Sequence, residues 1–525
     1  MKDVELTCQR PVVISTGRGD ETHRPLFKDY FAPIEEVWVA LDLDKIETKE
    51  GEVWLYVVEH KTGGPEEDTP LEDVSGKPDK LKLKPLEGGF LFAPVWNKPE
   101  PREEGYDVVA DLDCDGFYNK DRDILDTGDK GGFYVPEHWV CLESVSFNHT
   151  KDYICCDALT IRMGKKENVP IPEWKREKRP FPAAYIAGTP LVTVDSAFLA
   201  AKSVEKAVLE AKTSSGKLSG LQANKITFKT KKSILKRINF FSKKKRNRSS
   251  DFFQVSGSMP SSIQVFDQEW QWYLSKIKLK GEEEFRELPE KIDITATAKQ
   301  EGIHIATTVN RIYIVLGAPR CPWGLKGKFV PWASVLGISC REARGKTDME
   351  EAAVEITKYL YEKINANYTD VAHFSLKNDL PSSFNLTKFL DEILPVDAED
   401  TIPMQVKVNC YDMAKALVIF TNVLGGGMLA GGIKSDDESK AVESEFVLND
   451  IQPVGWEKCK DTFENHAFAM LGKKVFDASL IVVRKDEYGR DIFRPMINIP
   501  LVEYIKELIK KGQPTDPKVV QFQIK

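Results

Sequence analysis

Residues 1–145 contain several short, mostly apolar runs bounded by polar residues, which is typical of β-strands. Four of these runs are rich in aromatic and β-branched residues and are separated by turns rich in Gly, Pro and Asp; they cover residues 36–42, 52–59, 89–94 and 106–111. Short strands at this spacing predict an N-terminal β-sandwich, a fold that serves more often as a binding scaffold than as the site of a reaction.

The middle of the chain shows two different patterns. Residues 146–260 are mixed and rich in proline, and within them 197–211 predict a helix. Ten lysines or arginines lie from Lys229 to Arg248. Such a run suits a nuclear localisation signal, a patch that binds an anionic surface or a solvated linker. The acidic balance of the remaining chain favours a flexible or strand-flanking linker. Residues 261–320 contain further strand-like runs, with clean alternation at 292–297, and predict a second, β-rich block.

Residues 321–525 mix helical and strand-like periods. Apolar residues recur at helical spacing over 348–364 and again over 413–424, where three glycines end the second run. The chain is therefore predicted to be a multidomain protein with β domains followed by an α+β domain. Cys410 falls at the start of the second helix, where unpaired backbone N–H groups and the positive end of the helix dipole favour a thiolate.

Two short strand-like runs flank Gly472 and predict a hairpin that carries His466 on one strand and Asp477 on the other. If the two-residue loop is Leu471-Gly472, His466 lies directly opposite Asp477. If the loop is Gly472-Lys473, Asp477 is a diagonal neighbour on the same face. Either register lets the carboxylate reach the imidazole, whereas a three-residue loop would place the two side chains on opposite faces.

A cysteine on a helix followed by a histidine and an aspartate on adjacent strands resembles the transglutaminase-like branch of the papain-like cysteine hydrolases. The resembling segments are N-C-Y-D-M-A at 409–414, N-H-A-F at 465–468 and V-F-D-A-S at 475–479, with weaker matches at 318–323, 331–332 and 348–364. The resemblance implies a transglutaminase-like papain fold for residues 321–525. Family members often have Gly before the cysteine and Trp after the His-Ala pair, where this chain has Asn409 and Phe468.

The resemblance also implies a chemistry and a site. Cys410 would be the nucleophile, His466 its base and Asp477 the group that orients the base. The backbone N–H of Cys410 is the expected oxyanion donor, and Gln405 or Trp332 is a candidate for a second donor from a side chain. The implied function is a thiol-dependent hydrolase or acyltransferase that acts on peptide or carboxamide bonds of a protein or peptide substrate and needs no cofactor for catalysis.

An acidic loop follows the fourth predicted strand. Its oxygen-bearing side chains stand mostly at alternate positions around a glycine at the sixth position, and they are Asp111, Asp113, Asp115, Asn119, Asp121 and Asp123. Hard oxygen ligands on a sharply turning loop are what Ca²⁺ prefers. The twelfth position is Arg122 instead of the bidentate glutamate of an EF-hand, so the loop resembles the calcium loops found between strands of bacterial surface proteins. The alternative is an acidic, solvated hairpin.

Length and composition exclude several classes of protein. A chain of 525 residues is too long for one apolar core. The net charge of −7 argues against a nucleic-acid partner, and no apolar run approaches the roughly 18 residues of a transmembrane segment. The first residues lack the apolar core of a secretory signal, so we expect a cytoplasmic protein or one exported by a signal-less route. Nine cysteines, without a C-x-x-C pair, form neither a disulfide framework nor a zinc motif.

Two other functional hypotheses remain open at this stage. The first is a non-catalytic interaction protein that keeps the same scaffold, which the departures at Asn409 and Phe468 favour. The second is a surface protein in which the calcium loop is the functional element. Reactivity of the Cys410 thiol separates the enzyme from both alternatives, and calcium-dependent stability identifies the last.

Overall fold

The computed structural model describes most of the chain, and the described residues are 14–19, 25–42, 51–76, 78–82, 90–126, 131–147, 158–164, 167–176, 178–189, 191–215, 226–229, 248–256, 259–288, 302–323, 330–376, 382–394, 405–434, 446–456, 460–463, 465–511, 518–520 and 522–524. Most of the basic run and the alternating segment 292–297 lie outside these ranges.

Two sheets share one apolar core near the N-terminus. The first has the order β2-β1-β3-β6, with β1 Ile14–Gly19, β2 Pro25–Phe27, β3 Glu36–Asp42 and β6 Phe90–Asn97. The second has the order β5-β4-β7-β8 with β9 on β7, and comprises β4 Glu52–Glu59, β5 Asp79–Lys82, β7 Arg102–Asp111, β8 Ile124–Asp126 and β9 Phe133–Val135. Alternate residues of both sheets fill the core, and β3 and β4 have the predicted bounds.

A second pair of sheets shares another core. One has the order β11-β10-β13-β16, formed by β10 Val140–Phe147, β11 Trp174–Lys175, β13 Leu191–Ala200 and β16 Arg248–Ser256. The other has the order β12-β19-β17-β14-β15 with β18 on β17, formed by β12 Ala183–Ile186, β14 Val204–Ser215, β15 Ile226–Lys229, β17 Gln264–Leu279, β18 Arg286–Glu287 and β19 Ile303–Val315. Strands from segments 146–260 and 261–320 are therefore hydrogen-bonded within one sheet.

The helix predicted over 197–211 is wrong, because β13 and β14 occupy this segment. Ala207, Leu209 and Ala211 of β14 point into the core at the period of two that belongs to a strand. β14 also pairs with β17 along almost its whole length. These long-range contacts outweigh the helical preference of the Ala, Glu and Lys residues in the segment.

The C-terminal part combines helices with a large sheet. The helices are α1 Ala333–Glu342, α2 Met349–Glu362, α3 Leu386–Ile393, α4 Cys410–Asn422 and α5 Leu501–Leu508. The main sheet has the order β26-β25-β28-β27-β24-β31 with β29 on β28 and β30 on β25, and its strands are β24 Leu429–Lys434, β25 Phe446–Pro453, β26 Lys460–Phe463, β27 Asn465–Leu471, β28 Lys474–Lys485, β29 Asp491–Pro500, β30 Ile509–Lys511 and β31 Lys518–Val520. Helix α4 packs on β27 and β28.

Two small sheets complete the C-terminal part. β20 Ala366–Tyr368 pairs in parallel with β23 Val406–Val408, which leads directly into α4. The other sheet contains β21 Ser375–Leu376, β22 Ser382–Phe384 and β32 Phe522–Ile524. The helices predicted over 348–364 and 413–424 are confirmed as α2 and α4. None of the helices in the described ranges is long and apolar enough to cross a lipid bilayer.

Candidate active site

Helix α4 begins at a tightly held residue. Asn409 is the N-cap, its side chain accepts a hydrogen bond from Asp412 N at 3.0 Å, and the Asp412 carboxylate accepts one in return from Asn409 N at 3.4 Å. The same carboxylate accepts backbone hydrogen bonds from His373, Phe374 and Ser375. This reciprocal cap holds Cys410 as the first residue of the helix. Asn409, where the resembling family often has Gly, thus has a structural role.

The hairpin β27–β28 has the second of the two predicted registers. Leu471 pairs with Lys474 and Met470 with Val475, so the two-residue loop is Gly472-Lys473. Gly472 has a φ of +62°, a left-handed conformation that glycine adopts without steric cost. Asp477 is thereby placed on the same face of the hairpin as His466.

The hairpin brings His466 and Asp477 into contact. His466 Nε2 lies 2.8 Å from Asp477 Oδ2, and the two side chains are each about 1% exposed. Burial by itself lowers the pKa of the imidazole, but the charge of Asp477 and its hydrogen bond outweigh burial and raise the pKa of His466 to about 10. The same partner lowers the pKa of Asp477 against the opposing effect of burial. The pair is therefore a buried imidazolium–carboxylate ion pair at neutral pH.

The Cys410 thiol also interacts with the imidazole of His466. Nδ1 is buried and has no partner of ordinary hydrogen-bond geometry, while Cys410 raises the pKa of the imidazole both as a hydrogen-bond acceptor and as a negative charge. Phe463 stacks on the imidazole with ring centroids 5.3 Å apart. The ring is thus held between a carboxylate on one edge and a thiol on the other.

Asp477 has three further hydrogen bonds. Its Oδ1 accepts from Ser479 N at 2.8 Å and from Ser479 Oγ at 2.6 Å, and its Oδ2 accepts from the hydroxyl of Tyr504 at 2.8 Å. Tyr504 lies on α5 and packs against Phe468, with ring centroids 5.0 Å apart. Phe468, where the resembling family often has Trp, therefore packs beside the tyrosine that holds the carboxylate.

Tyr368 is a site residue that the sequence analysis missed. It is the last residue of β20, opposite Val408 in the parallel pair, and its ring packs edge-on against Trp456 with centroids 5.7 Å apart. Burial, followed by the charge and hydrogen bonding of Cys410, raises the pKa of its phenol. Tyr504 and Tyr368 are far from Cys410 in sequence, and no local pattern marks either of them as a site residue.

The two side chains considered for the oxyanion have contacts of their own. Gln405 is exposed, precedes β23, and its Oε1 accepts a hydrogen bond from Asn367 Nδ2 at 3.3 Å. Trp332 is the N-cap of α1 and packs edge-on against Trp323, with ring centroids 6.4 Å apart. These contacts give Gln405 a surface role and Trp332 a role in the apolar core.

The candidate active site is closed in this structure. Cys410 is 4% exposed, His466 1% and Asp477 2%. A substrate reaches the sulfur only if the neighbouring side chains move. The arrangement can otherwise do what a nucleophile, a base and an orienting carboxylate require, because the imidazole contacts both of the other groups.

The acidic loop assembles half of the predicted calcium ligands. Among the described residues, Asp111, Asp113 and Asp115 have carboxylate oxygens within 4.8 Å of one another. Two of the other predicted ligands accept hydrogen bonds from the backbone of the loop: Asp123 accepts from Asn119 N at 2.7 Å, and the Asn119 side chain accepts from Asp121 N at 3.2 Å.

Cationic and backbone donors already contact the clustered carboxylates. Arg122 Nη1 donates to Asp113 Oδ2 at 2.8 Å, and the two oxygens of Asp111 accept from Cys114 N and Gly116 N. Burial raises the pKa of Asp111. Three carboxylates fit a hard cation, so the Ca²⁺ prediction now depends on these three groups.

No protein-family model matches this chain, and no curated protein matches it. Among solved structures it is similar to a red sea bream transglutaminase, with a TM-score of 0.25 and 10% identity over 58% of this chain and 50% of that one. It is also similar to a DUF4785 family protein from Legionella pneumophila, with a TM-score of 0.20 and 9% identity over 55% of each chain. The chain thus spans about half of either protein.

Proposed function

We propose that the protein is a thiol-dependent hydrolase or acyltransferase that acts on peptide or carboxamide bonds through Cys410, His466 and Asp477. One observation carries the proposal: the second ring nitrogen of His466, beside its buried ion pair with Asp477, has no ordinary hydrogen-bond partner, and Cys410 at the first residue of a helix interacts with the same imidazole. A structural histidine would use both ring nitrogens in hydrogen bonds, because a buried, unpaired polar atom is costly.

The chemistry follows from this arrangement. The Cys410 thiolate, paired with the protonated imidazole of His466, attacks the carbonyl carbon of the substrate. The imidazolium then gives its Nδ1 proton to the leaving amine, which breaks the C–N bond and leaves a thioester. Water as the acceptor regenerates the thiol and releases a carboxylic acid, whereas an amine acceptor forms a new amide. Asp477 keeps the imidazole oriented and stabilises its positive charge.

The oxyanion needs donors beside the sulfur. The backbone N–H of Cys410 remains the first candidate, and we assign the second to the hydroxyl of Tyr368 in place of Gln405 or Trp332. The assignment is supported by the pairing of β20 with the strand that leads into α4 and by the packing of the Tyr368 ring on Trp456.

The test is alkylation of the folded protein with limiting iodoacetamide at pH 6, followed by mapping of the labelled cysteine by mass spectrometry. We expect Cys410 to react first among the nine cysteines. His466→Ala should slow its labelling at least about tenfold, the effect of one pKa unit on the fraction of ion-paired thiolate. Cys340 is the matched control, since it is a fully buried thiol whose raised pKa is caused by burial.

The second candidate function is a non-catalytic interaction protein that retains this scaffold. The low exposure of Cys410 favours it, because an inert cysteine at a helix start is a small buried apolar residue. The same experiment decides between the two. Labelling that favours another cysteine, or that is indifferent to His466→Ala, would remove the enzyme from consideration.

A further inference from the structure

A cavity of about 310 Å³ lies between the six-stranded sheet and helix α1. Its walls are one face of β19, one face of α1 and the segment 179–182, and Leu394 contributes from the end of α3. None of the lining residues belongs to the candidate active site. The volume is at the lower end of the range for small-molecule sites in proteins, roughly 300–1,000 Å³.

The strand pattern explains one wall. Along β19 the side chains of Val309, Arg311 and Tyr313 line the cavity, whereas Ile312 and Ile314 point into the core between the two sheets. Residues at alternate positions of a strand face opposite sides. The wall is thus the outer face of a sheet whose inner face is already packed.

A glycine in α1 keeps the cavity open. Gly337 is in the middle of the helix, where glycine weakens helical structure relative to alanine. A Cβ atom at this position would have a single neighbour within 4 Å, the hydroxyl oxygen of Tyr313 at 3.5 Å. The space is therefore preserved by a residue that the stability of the helix alone would disfavour.

The walls of the cavity are apolar, and its rim is cationic. Phe181, Val309 and Ile338 supply apolar surface. Three arginines and one aspartate are the charged lining residues: Arg179, Arg311, Arg341 and Asp267. Arg311 holds Asp267 through Nε and Nη2 at 3.0 and 3.1 Å. Glu342, which does not line the cavity, accepts from Arg341 Nε at 2.8 Å. The lining still carries more positive than negative charge.

We propose that this cavity binds a small amphipathic monocarboxylate, with its apolar body between β19 and α1 and its carboxylate at the arginine rim. A guanidinium presents its donors in a planar fork that matches the two oxygens of a carboxylate. The volume suits a compact or medium-chain ligand. Such a ligand contacts both the apolar walls and the positively charged rim. A neutral alcohol of the same length would contact only the walls.

The test is isothermal titration of the full chain with sodium octanoate and, in parallel, with 1-octanol. We expect octanoate to bind about tenfold more tightly or better, the difference that one charge-assisted hydrogen bond supplies. Arg341→Gln should reduce this preference several-fold. Gly337→Leu should abolish binding of both probes by filling the cavity, and Gly337→Ala, which leaves most of the space, is its matched control.

Two results would overturn the proposal. Equal affinity for octanoate and 1-octanol would show that the arginines do not recognise the carboxylate. Unchanged octanoate binding in a folded Gly337→Leu protein would place the ligand elsewhere. If the leucine variant does not fold, the exposed Arg341→Gln variant decides, because a preference for octanoate that survives this change contradicts the assigned rim.

Discussion

At the scale of single residues, the candidate site depends on how Asp477 is held. Four donors surround its carboxylate: the imidazole of His466, the hydroxyl of Tyr504, and the backbone and side chain of Ser479. A buried carboxylate with this many donors stays ionised despite desolvation. Its charge in turn keeps the imidazole protonated, which is the condition for an ion pair with a thiolate.

Asp477→Asn should separate the chemical role of this residue from its structural role. The amide cannot stabilise the imidazolium, so alkylation of Cys410 at pH 6 should slow at least about tenfold, as for a one-unit change in pKa. The measurement is the rate of alkylation against pH for wild type and variant. Asp491→Asn, an exposed carboxylate on the same sheet, is the control.

The same variant should change how stability depends on pH. The pKa of His466 is raised from 6.5 to about 10, so the ion pair stabilises the folded protein fully below about pH 6.5. This stabilisation is lost as the pH rises toward 10. The melting temperature of the wild type should therefore fall further between pH 7 and 10 than that of Asp477→Asn. Identical losses together with unchanged alkylation would mean that the aspartate is only structural.

At the scale of elements, the site is created by a helix cap and a hairpin turn. The capping box places Cys410, and the Gly472-Lys473 loop places His466 and Asp477 on one face. Each device is local and can be changed by a single substitution.

Gly472→Val should weaken the hairpin, because a β-branched residue at a φ of +62° is strained. The expected loss is roughly 1–2 kcal/mol in the free energy of unfolding. Nothing lies within 4 Å of a Cβ at this position, so backbone strain is the only cost. Gly472→Asn is the matched control, since Asn tolerates the left-handed region. Urea unfolding measures the stability of both variants. Equal midpoints would show that the left-handed conformation at position 472 is not needed for this turn.

The acidic loop between β7 and β8 should bind Ca²⁺ weakly, in the range of about 10⁻⁴–10⁻³ M, because a bidentate twelfth ligand is missing. Calcium should raise the melting temperature of the wild-type protein relative to chelator, and Asp113→Asn/Asp115→Asn should lose the effect. If wild type melts at the same temperature with calcium and with chelator, Arg122 alone balances these carboxylates and the loop is a solvated hairpin.

At the scale of the whole molecule, the C-terminal part shares its core with the preceding sheet. Ile263, Tyr313 and Val315 belong to the same apolar cluster as α1, α2 and α4. A domain boundary near residue 320 would therefore separate side chains that pack against each other.

A fragment of residues 321–525 should be less stable than one of residues 136–525. Losing the fully buried Ile263 and Val315 should lower the free energy of unfolding by at least about 3 kcal/mol, since each such side chain contributes roughly 1.5–3 kcal/mol. Chemical unfolding followed by tryptophan fluorescence and circular dichroism measures the difference. Matching unfolding curves for the two fragments would mean that the C-terminal part is an independent unit.

Local patterns in the sequence determined much of this structure. Strands β3 and β4, helices α2 and α4, and the placement of Asp477 on the face of His466 follow from periodicity, capping residues and turn chemistry, which act over a few residues. Tertiary structure decided the rest. It turned 197–211 into strands by pairing β14 with β17, brought Tyr368 and Tyr504 to the candidate site, and directed Gln405 to the surface and Trp332 into the core. These outcomes depend on contacts between residues far apart in the chain. The local conformational preferences of neighbouring residues do not specify such contacts.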